Sequence, residues 1–296
     1  MPAPISTTPL APQHLSDMLE LEQLDSNLFR SRANQENMNG SLFGGQILGQ
    51  SLKAAALTVG GARHAHSLHG YFLLAGARDI PVIYDVELTR DGGSFSTRRV
   101  VARQRAKTIF HVELSFHREE EGYEHAATLD IDVPDPEGLM STEELAKKYS
   151  ALLPKDSPPL ESWPSLVEFR PTNPEEFVLK KAATRGLYWI RSSSKLPDDR
   201  TTQQAGAAYL SDYFLLSTAL LRHPEATRAD VLLASLDHAM WFHRPCRSDD
   251  WLLFDATSPF MGGARGFARG EVYDRQRRLV ASVAQEGLVR PMDRRG

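Results

Sequence analysis

Hydrophobic and polar positions along this chain fall into two rhythms, and each rhythm occurs twice. Ala65 to Leu74, Ile80 to Arg90, Phe95 to Arg103 and Ile109 to His117 are rich in Val, Ile, Phe and Tyr and are parted by turn signals such as Asp91-Gly92-Gly93. This predicts consecutive strands of an antiparallel sheet. Ahead of them, Gly45 to Thr58 carries small residues on several sides, including the run Ala54-Ala55-Ala56. A helix that can be approached closely all round is expected to be buried, with the sheet wrapped about it. Its glycine-rich start leaves backbone N–H groups free. Earlier still, Leu15, Met18, Leu19 and Leu21 predict a short amphipathic helix over Leu15 to Leu24, followed by an extended piece near Asn27 to Arg32.

The second half repeats the plan. Extended stretches at Leu166 to Arg170 and Gly186 to Ser192 lead to a helix expected to begin near Ser211-Asp212 and to run through Phe214, Leu215, Leu216, Ala219 and Leu221. Strands are expected at Val231 to His243, Trp251 to Ser258, Gly266 to Tyr273 and Leu279 to Leu288. Val231 to Pro245 is too apolar for a surface strand, yet Ser235, Asp237, His238 and His243 interrupt it, which predicts a strand covered on both faces with a polar site built in. Local echoes support a duplication. Ser67-Leu68-His69 matches Ser235-Leu236-Asp237-His238, pairing His69 with His238, and Ile109 to Ser115 matches Leu279 to Gln285. The expected class is α+β, with two tandem units, each a central helix wrapped by an antiparallel sheet. The expected boundaries are a loose tail over 1–14, a first unit over 15–120, a proline-rich linker over 121–165 with a short helix near Thr142 to Ser150, and a second unit over 166–296.

Composition narrows the function. With 34 Lys+Arg against 38 Asp+Glu in 296 residues, the net charge of −4 gives no general pull toward nucleic acid or an anionic membrane. No apolar run approaches the roughly 18 residues that span a bilayer, and the N-terminus lacks the pattern of a signal peptide, so no membrane insertion is expected. One cysteine, Cys246, excludes an internal disulfide and a cysteine-based zinc cluster; it fits a reducing, cytoplasmic setting. His64, His66 and His69 are close in sequence, but strand alternation would put His69 on the opposite face, so no metal site is expected. There is no Gly-x-Ser-x-Gly elbow, and the glycines at 44 to 49 continue Gln50-Ser51 where a phosphate loop needs Lys-Ser.

Several long motifs, in order, closely resemble the acyl-CoA thioesterase II family. They are Phe43-Gly44-Gly45-Gln46-Ile47-Leu48-Gly49-Gln50, His66-Ser67-Leu68-His69-Gly70-Tyr71-Phe72, Arg90-Asp91-Gly92-Gly93-Ser94-Phe95-Ser96-Thr97-Arg98-Arg99-Val100, Asp237-His238-Ala239-Met240-Trp241-Phe242-His243-Arg244-Pro245 and Gln285-Glu286-Gly287. The likeness runs from about Leu19 to Arg290. It implies the double hotdog fold, hydrolysis of fatty acyl-CoA to free acid and coenzyme A without a cofactor, and assembly into a dimer or tetramer. It also implies a water held by a carboxylate, a hydroxyl and an amide, falling here on Asp212, Ser235 and Gln285; members of the family often carry Thr where this chain has Ser235.

The implied chemistry is physically reasonable. A thiol leaving group with a pKa near 8.5 needs no dedicated acid, so activating one water suffices, with Asp212 as general base and a helix N-terminus at Gly45 and Gln46 as oxyanion donors. His69 or His238 could line the pocket, and Arg98, Arg99, Arg265 and Arg269 are candidates for the coenzyme's phosphates. Each residue has a plainer reading as a helix cap, a strand hydroxyl, a strand-end amide or a solvated charge, and only the three water-holding residues together outweigh it. The first unit offers no carboxylate at Gly44 to Gln46 and has Ser115 where the second has Gln285, so one active site per chain is expected. A hotdog hydratase, needing an Asp/His pair on one wall, and a non-enzymatic acyl-CoA carrier are the competing readings.

Overall fold

The computed structural model describes residues 9–60, 62–149, 166–179, 181–226 and 230–292. Among the described residues, alternation of apolar and polar side chains builds thirteen strands into one antiparallel sheet, in the order β1-β2-β4-β5-β6-β3-β10-β13-β12-β11-β8-β7, with β9 also on β13. The first half supplies β1 (Leu21–Asp25), β2 (Leu28–Ser31), β3 (Arg63–Phe72), β4 (Ile83–Asp91), β5 (Phe95–Gln104) and β6 (Lys107–Arg118). The second supplies β7 (Val167–Pro171), β8 (Arg185–Ser192), β9 (Val231–Ser235), β10 (Asp237–Phe242), β11 (Leu252–Gly262), β12 (Arg265–Tyr273) and β13 (Leu279–Pro291). The halves join where β10 pairs with β3, so the sheet runs unbroken through the molecule.

Two helices lie side by side inside the curl. Helix α2 (Gly44–Leu57) is the expected small-residue helix, and α5 (Arg200–Ser211) is its counterpart; both are buried over most of their length. They run antiparallel at very short range. A Cβ on Gly49 would lie 2.8 Å from the Ala205 carbonyl oxygen, and Lys53 Nζ reaches Thr202 Oγ1 at 2.5 Å. The largest apolar cluster surrounds this pair, drawing on Leu48, Leu52, Phe110, Leu114, Tyr209 and Val283.

Three expectations about elements are corrected. The helix foreseen from Ser211-Asp212 onward instead ends there: α5 occupies 200–211, Asp212 is its C-cap, and Phe214 turns the chain at φ 62°. The sequence Arg200-Thr-Thr-Gln-Gln-Ala-Gly-Ala-Ala forms a helix because only small side chains fit against α2, whereas Leu216–Leu220 is a short 3-10 turn. The helix foreseen over Leu15 to Leu24 stops at Leu19 (α1, Leu15–Leu19) and continues as β1, because Leu21 and Asp25 find a ladder partner in β2. The strand foreseen over Val231 to His243 breaks at Leu236, and burial alternates along it instead of being complete on both faces; Trp241 stands on the outer face, 38% exposed.

The described part of the linker is strapped onto the outer face of the second half. Val133, Leu129, Ile131 and Leu139 pack with Trp189, Trp251, Leu253 and Tyr273. Trp189 Nε1 donates to Pro134 O at 3.0 Å, and Arg277 and Arg275 pair with Asp135 and Glu137. The short helix appears as α3 (Thr142–Tyr149), beside α4 (Pro174–Leu179). The rest of the proline-rich stretch, 150–165, lies outside the described residues, as does 1–8 of the tail.

Candidate active site

At the end of α5 three side chains from distant parts of the chain meet. Gln285 Nε2, from β13, donates to Asp212 Oδ1 and to Ser235 Oγ, both at 2.9 Å. Gln285 itself is fully buried, and its Oε1 has no partner among the described residues. The break at Leu236 helps to bring Ser235 here: Leu236 N–H donates to Glu286 O, and Glu286 N–H to Asp237 Oδ1 at 2.7 Å, so the strand kinks between two different registers on β13.

The first half completes the site. The backbone N–H of Gly45, in the first turn of α2, faces the Asp212 carboxylate and favours its charged form. Closeness requires glycine there, since a Cβ on Gly44 would sit 2.6 Å from Asp212 Oδ2. Burial pushes the Asp212 carboxyl up to about 6, against the opposing pull of the Gln285 amide and the Gly45 N–H. Phe43 packs edge-on to Tyr209 and against Tyr213, whose hydroxyls lie 3.1 Å apart, and Gln35 bonds both. Burial pushes Tyr209 well above and Tyr213 up to about 12, so both stay neutral. Asn39 Nδ2 donates to Leu233 O at 3.2 Å, carrying the 35–43 segment over β9. Gln35, Phe43, Tyr209 and Tyr213 were not anticipated as neighbours of Asp212; the tyrosines four residues apart on either side of the α5 C-terminus were the available signal, hidden once the helix was placed after them.

Other foreseen residues lie elsewhere. The Gln46 side chain is buried and tied to Gln35 N, Asn34 Oδ1 and Gln50 Oε1, so only its backbone N–H could serve an oxyanion. His69 is on the outer face, its ring 5.1 Å from Trp241. A bulge between Ala65 and Ser67 brings His66 to that outer face too, where it bonds Ser115 Oγ at 2.7 Å, correcting the expectation that His69 faces away from His66. His238 points inward, paired across the ladder with Gly70, so it does not match His69. Asp237 and His238 face opposite sides and form no acid–base pair. Arg98 is buried, clasping the end of α2 through Thr58 O and Thr58 Oγ1 and pairing with Asp91. Arg265 pairs with Glu286 on the exterior, and Arg99 lies 3.8 Å from Glu87 in an outer depression of about 380 Å³; Arg269 is exposed.

The duplicate site is filled. Gln285 pairs across its ladder with Ala268, and the matching pair in the first half is Leu114 with Arg98. Leu114 therefore takes the inward place of Gln285, correcting the match with Ser115, which faces outward. Ala65 stands where Ser235 does, and Thr58-Val59 where Asp212 does. The buried Arg98 guanidinium occupies the volume, so among the described residues the carboxylate, hydroxyl and amide come together in the second half and not in the first.

Comparison with known proteins agrees with this architecture. The family model for acyl-CoA thioesterase matches residues 165–288, and that for the acyl-CoA thioesterase N-terminal domain matches 34–117. Human acyl-coenzyme A thioesterase 8 is 38% identical over 285 residues, covering 93% of this chain and 88% of that protein. Acyl-CoA thioesterase 2 of Haemophilus influenzae is 33% identical, covering 94% and 97%. The crystal structure of acyl-CoA thioesterase II TesB2 from Mycobacterium marinum superposes with a TM-score of 0.76 at 36% identity, over 94% of this chain and 99% of that one. A hot dog fold protein from Alicyclobacillus acidocaldarius, at 18% identity, shares the fold with a TM-score of 0.75. Together with the paired helices inside one curled sheet, these matches show that the chain belongs to the acyl-CoA thioesterase family of double hotdog thioester hydrolases.

Proposed function

We propose that the protein hydrolyses fatty acyl-CoA to free fatty acid and coenzyme A, with Asp212 as general base for a water oriented by Ser235 and Gln285. The observation that carries this reading is the Gln285 amide, bonded at 2.9 Å to both the carboxylate and the hydroxyl. Because that amide donates to Ser235 Oγ, the hydroxyl keeps its own proton free to give to a water, and the unpartnered Gln285 Oε1 is a buried acceptor for one of the water's hydrogens. A carboxyl raised to about 6 is ionised at neutral pH yet basic enough to take a proton.

The water oxygen bonds to the thioester carbon as its proton passes to Asp212. The carbonyl oxygen becomes an oxyanion facing the N-terminal turn of α2, where the Gln46 N–H is available. Collapse breaks the C–S bond, and the proton on Asp212 leaves with the thiolate. Domain boundaries at 15–120 and 166–296, a cytoplasmic location and self-association into a dimer or tetramer belong to the same reading. Self-association is supported by the outer-face row of Tyr71, His69 and Trp241 at the β3–β10 junction, which leaves large aromatic rings in water.

The test is thiol release across a ladder of acyl-CoA chain lengths. The wild type releases thiol and Asp212→Asn loses about 10²–10⁴-fold in kcat while remaining folded; near-normal turnover in that variant refutes the assignment.

A further inference from the structure

We propose that His238 is a positioning residue for Asp212, acting by pinning the last turn of α5 through the hydroxyl of Ser211; this rests on the reading of Asp212 as the base. His238 Nε2 lies 2.9 Å from Ser211 Oγ, and Ser211 Oγ donates to Ala208 O at 2.8 Å. Ser211 has one hydroxyl proton and the carbonyl takes it, so the imidazole must donate from Nε2. Nδ1 is then the bare nitrogen, which fits its lack of a partner among the described residues.

That hydroxyl stands at the point where the helix unwinds. The Asp212 N–H turns to Leu210 O instead of continuing the ladder to Ala208, the Tyr213 N–H also takes Leu210 O, and Phe214 has a positive φ. The direction of the Asp212 side chain is thus set where the helical hydrogen-bond ladder stops, and the Ser211–His238 link ties that end of the helix to β10. Ser211 and His238 are sealed from water. A buried polar pair of this kind adds little stability over an apolar pair of the same shape, so stability alone does not account for it.

The first half contains the same device without a base. At the end of α2, Thr58 Oγ1 donates to Ala55 O at 2.7 Å and accepts from Arg98 Nε at 2.9 Å. There the sheet supplies a guanidinium, and in the second half it supplies a neutral ring. A fixed cation beside Asp212 would favour its ionised form and draw its proton affinity back to the ordinary carboxylate range. Burial pushes His238 down to about 3, so it pins the helix end without adding charge. Among the described residues the other titratable groups around Asp212 are Tyr188, Tyr209 and Tyr213, all pushed up by burial, which leaves Asp212 to set the acid limb of the rate profile.

The experiment measures kcat and KM from pH 4 to 8 by thiol release, for wild type, His238→Leu, His238→Gln, Ser211→Ala and Asp212→Asn. Gln can place an amide N–H near the position of Nε2; Leu cannot. His238→Leu is expected to lose about 10–100-fold in kcat with KM changed less than about twofold, and its acid limb moves down as the loosened carboxyl hydrates. His238→Gln restores most of the rate and the limb. Ser211→Ala removes the anchor at nearly constant core volume and gives the loss seen with Leu, which keeps the test decisive if His238→Leu does not fold. Wild-type kcat and limb in Ser211→Ala or in a folded His238→Leu overturns the inference, as does a His238→Gln variant no better than Leu. Near-normal turnover in Asp212→Asn overturns instead the reading of the base.

Discussion

A carboxylate is costly to hold where Asp212 lies, and the cost has two measurable signs. Its carboxyl binds a proton more readily in the folded chain, at about 6, than at the ordinary value of 3.8. With Asp212 as the proposed base, turnover needs the ionised form, so kcat is expected to fall on the acid side with an apparent pKa near 6, read from a pH–rate profile. Stability runs the other way. A raised folded-state value means that the stabilisation from protonation is fully present below about pH 4 and is lost as the pH rises through about 6. At pH 8 the folded protein therefore carries the whole penalty, at most about 3 kcal/mol. Asp212→Asn should melt higher than wild type at pH 8, with the gap closing toward pH 4; a gap that is constant with pH contradicts the burial argument.

At the scale of elements, the site exists because two helices approach within the reach of a backbone hydrogen bond. Glycine in a helix interior ordinarily costs about 1 kcal/mol relative to alanine, so Gly49→Ala on α2 would be stabilising in an isolated helix. Here the added methyl meets the Ala205 carbonyl at 2.8 Å and Leu19 Cδ2 at 2.9 Å. Packing reverses the sign: Gly49→Ala is expected to destabilise by about 1–3 kcal/mol in urea unfolding. It should lower kcat as well, because pushing α5 away from α2 lengthens the Gly45 N–H contact to Asp212.

Across the whole molecule, the β3–β10 pairing makes one sheet of two halves, and the strap over 129–139 covers the outer face of the second half. The exposed row at the junction is the face that self-association would use. Trp241→Glu is expected to lower the mass measured by light scattering while leaving kcat per chain within about twofold, since Trp241 points away from Asp212. An unchanged mass removes this face from the assembly.

The sequence by itself determined the duplication, the strand periods and the buried small-residue helix α2, because alternation and glycine are local properties of the chain; Asp212, Ser235 and Gln285 were singled out only through the resemblance of its motifs to a family. It misled where a local pattern was ambiguous. Phe214 to Leu221 is apolar enough for a helix, but the helix is the stretch before it, where smallness matters only because α2 lies opposite. Irregularities at His66 and Leu236 put His66 on the same face as His69 and broke the strand after Ser235, since a single inserted residue shifts a period of two and leaves no mark on composition. Only the tertiary structure decided that Asp212 ends a helix and meets the start of another, that Arg98 fills the second site, and that His238 faces inward, because each depends on which backbone lies across from the residue in space.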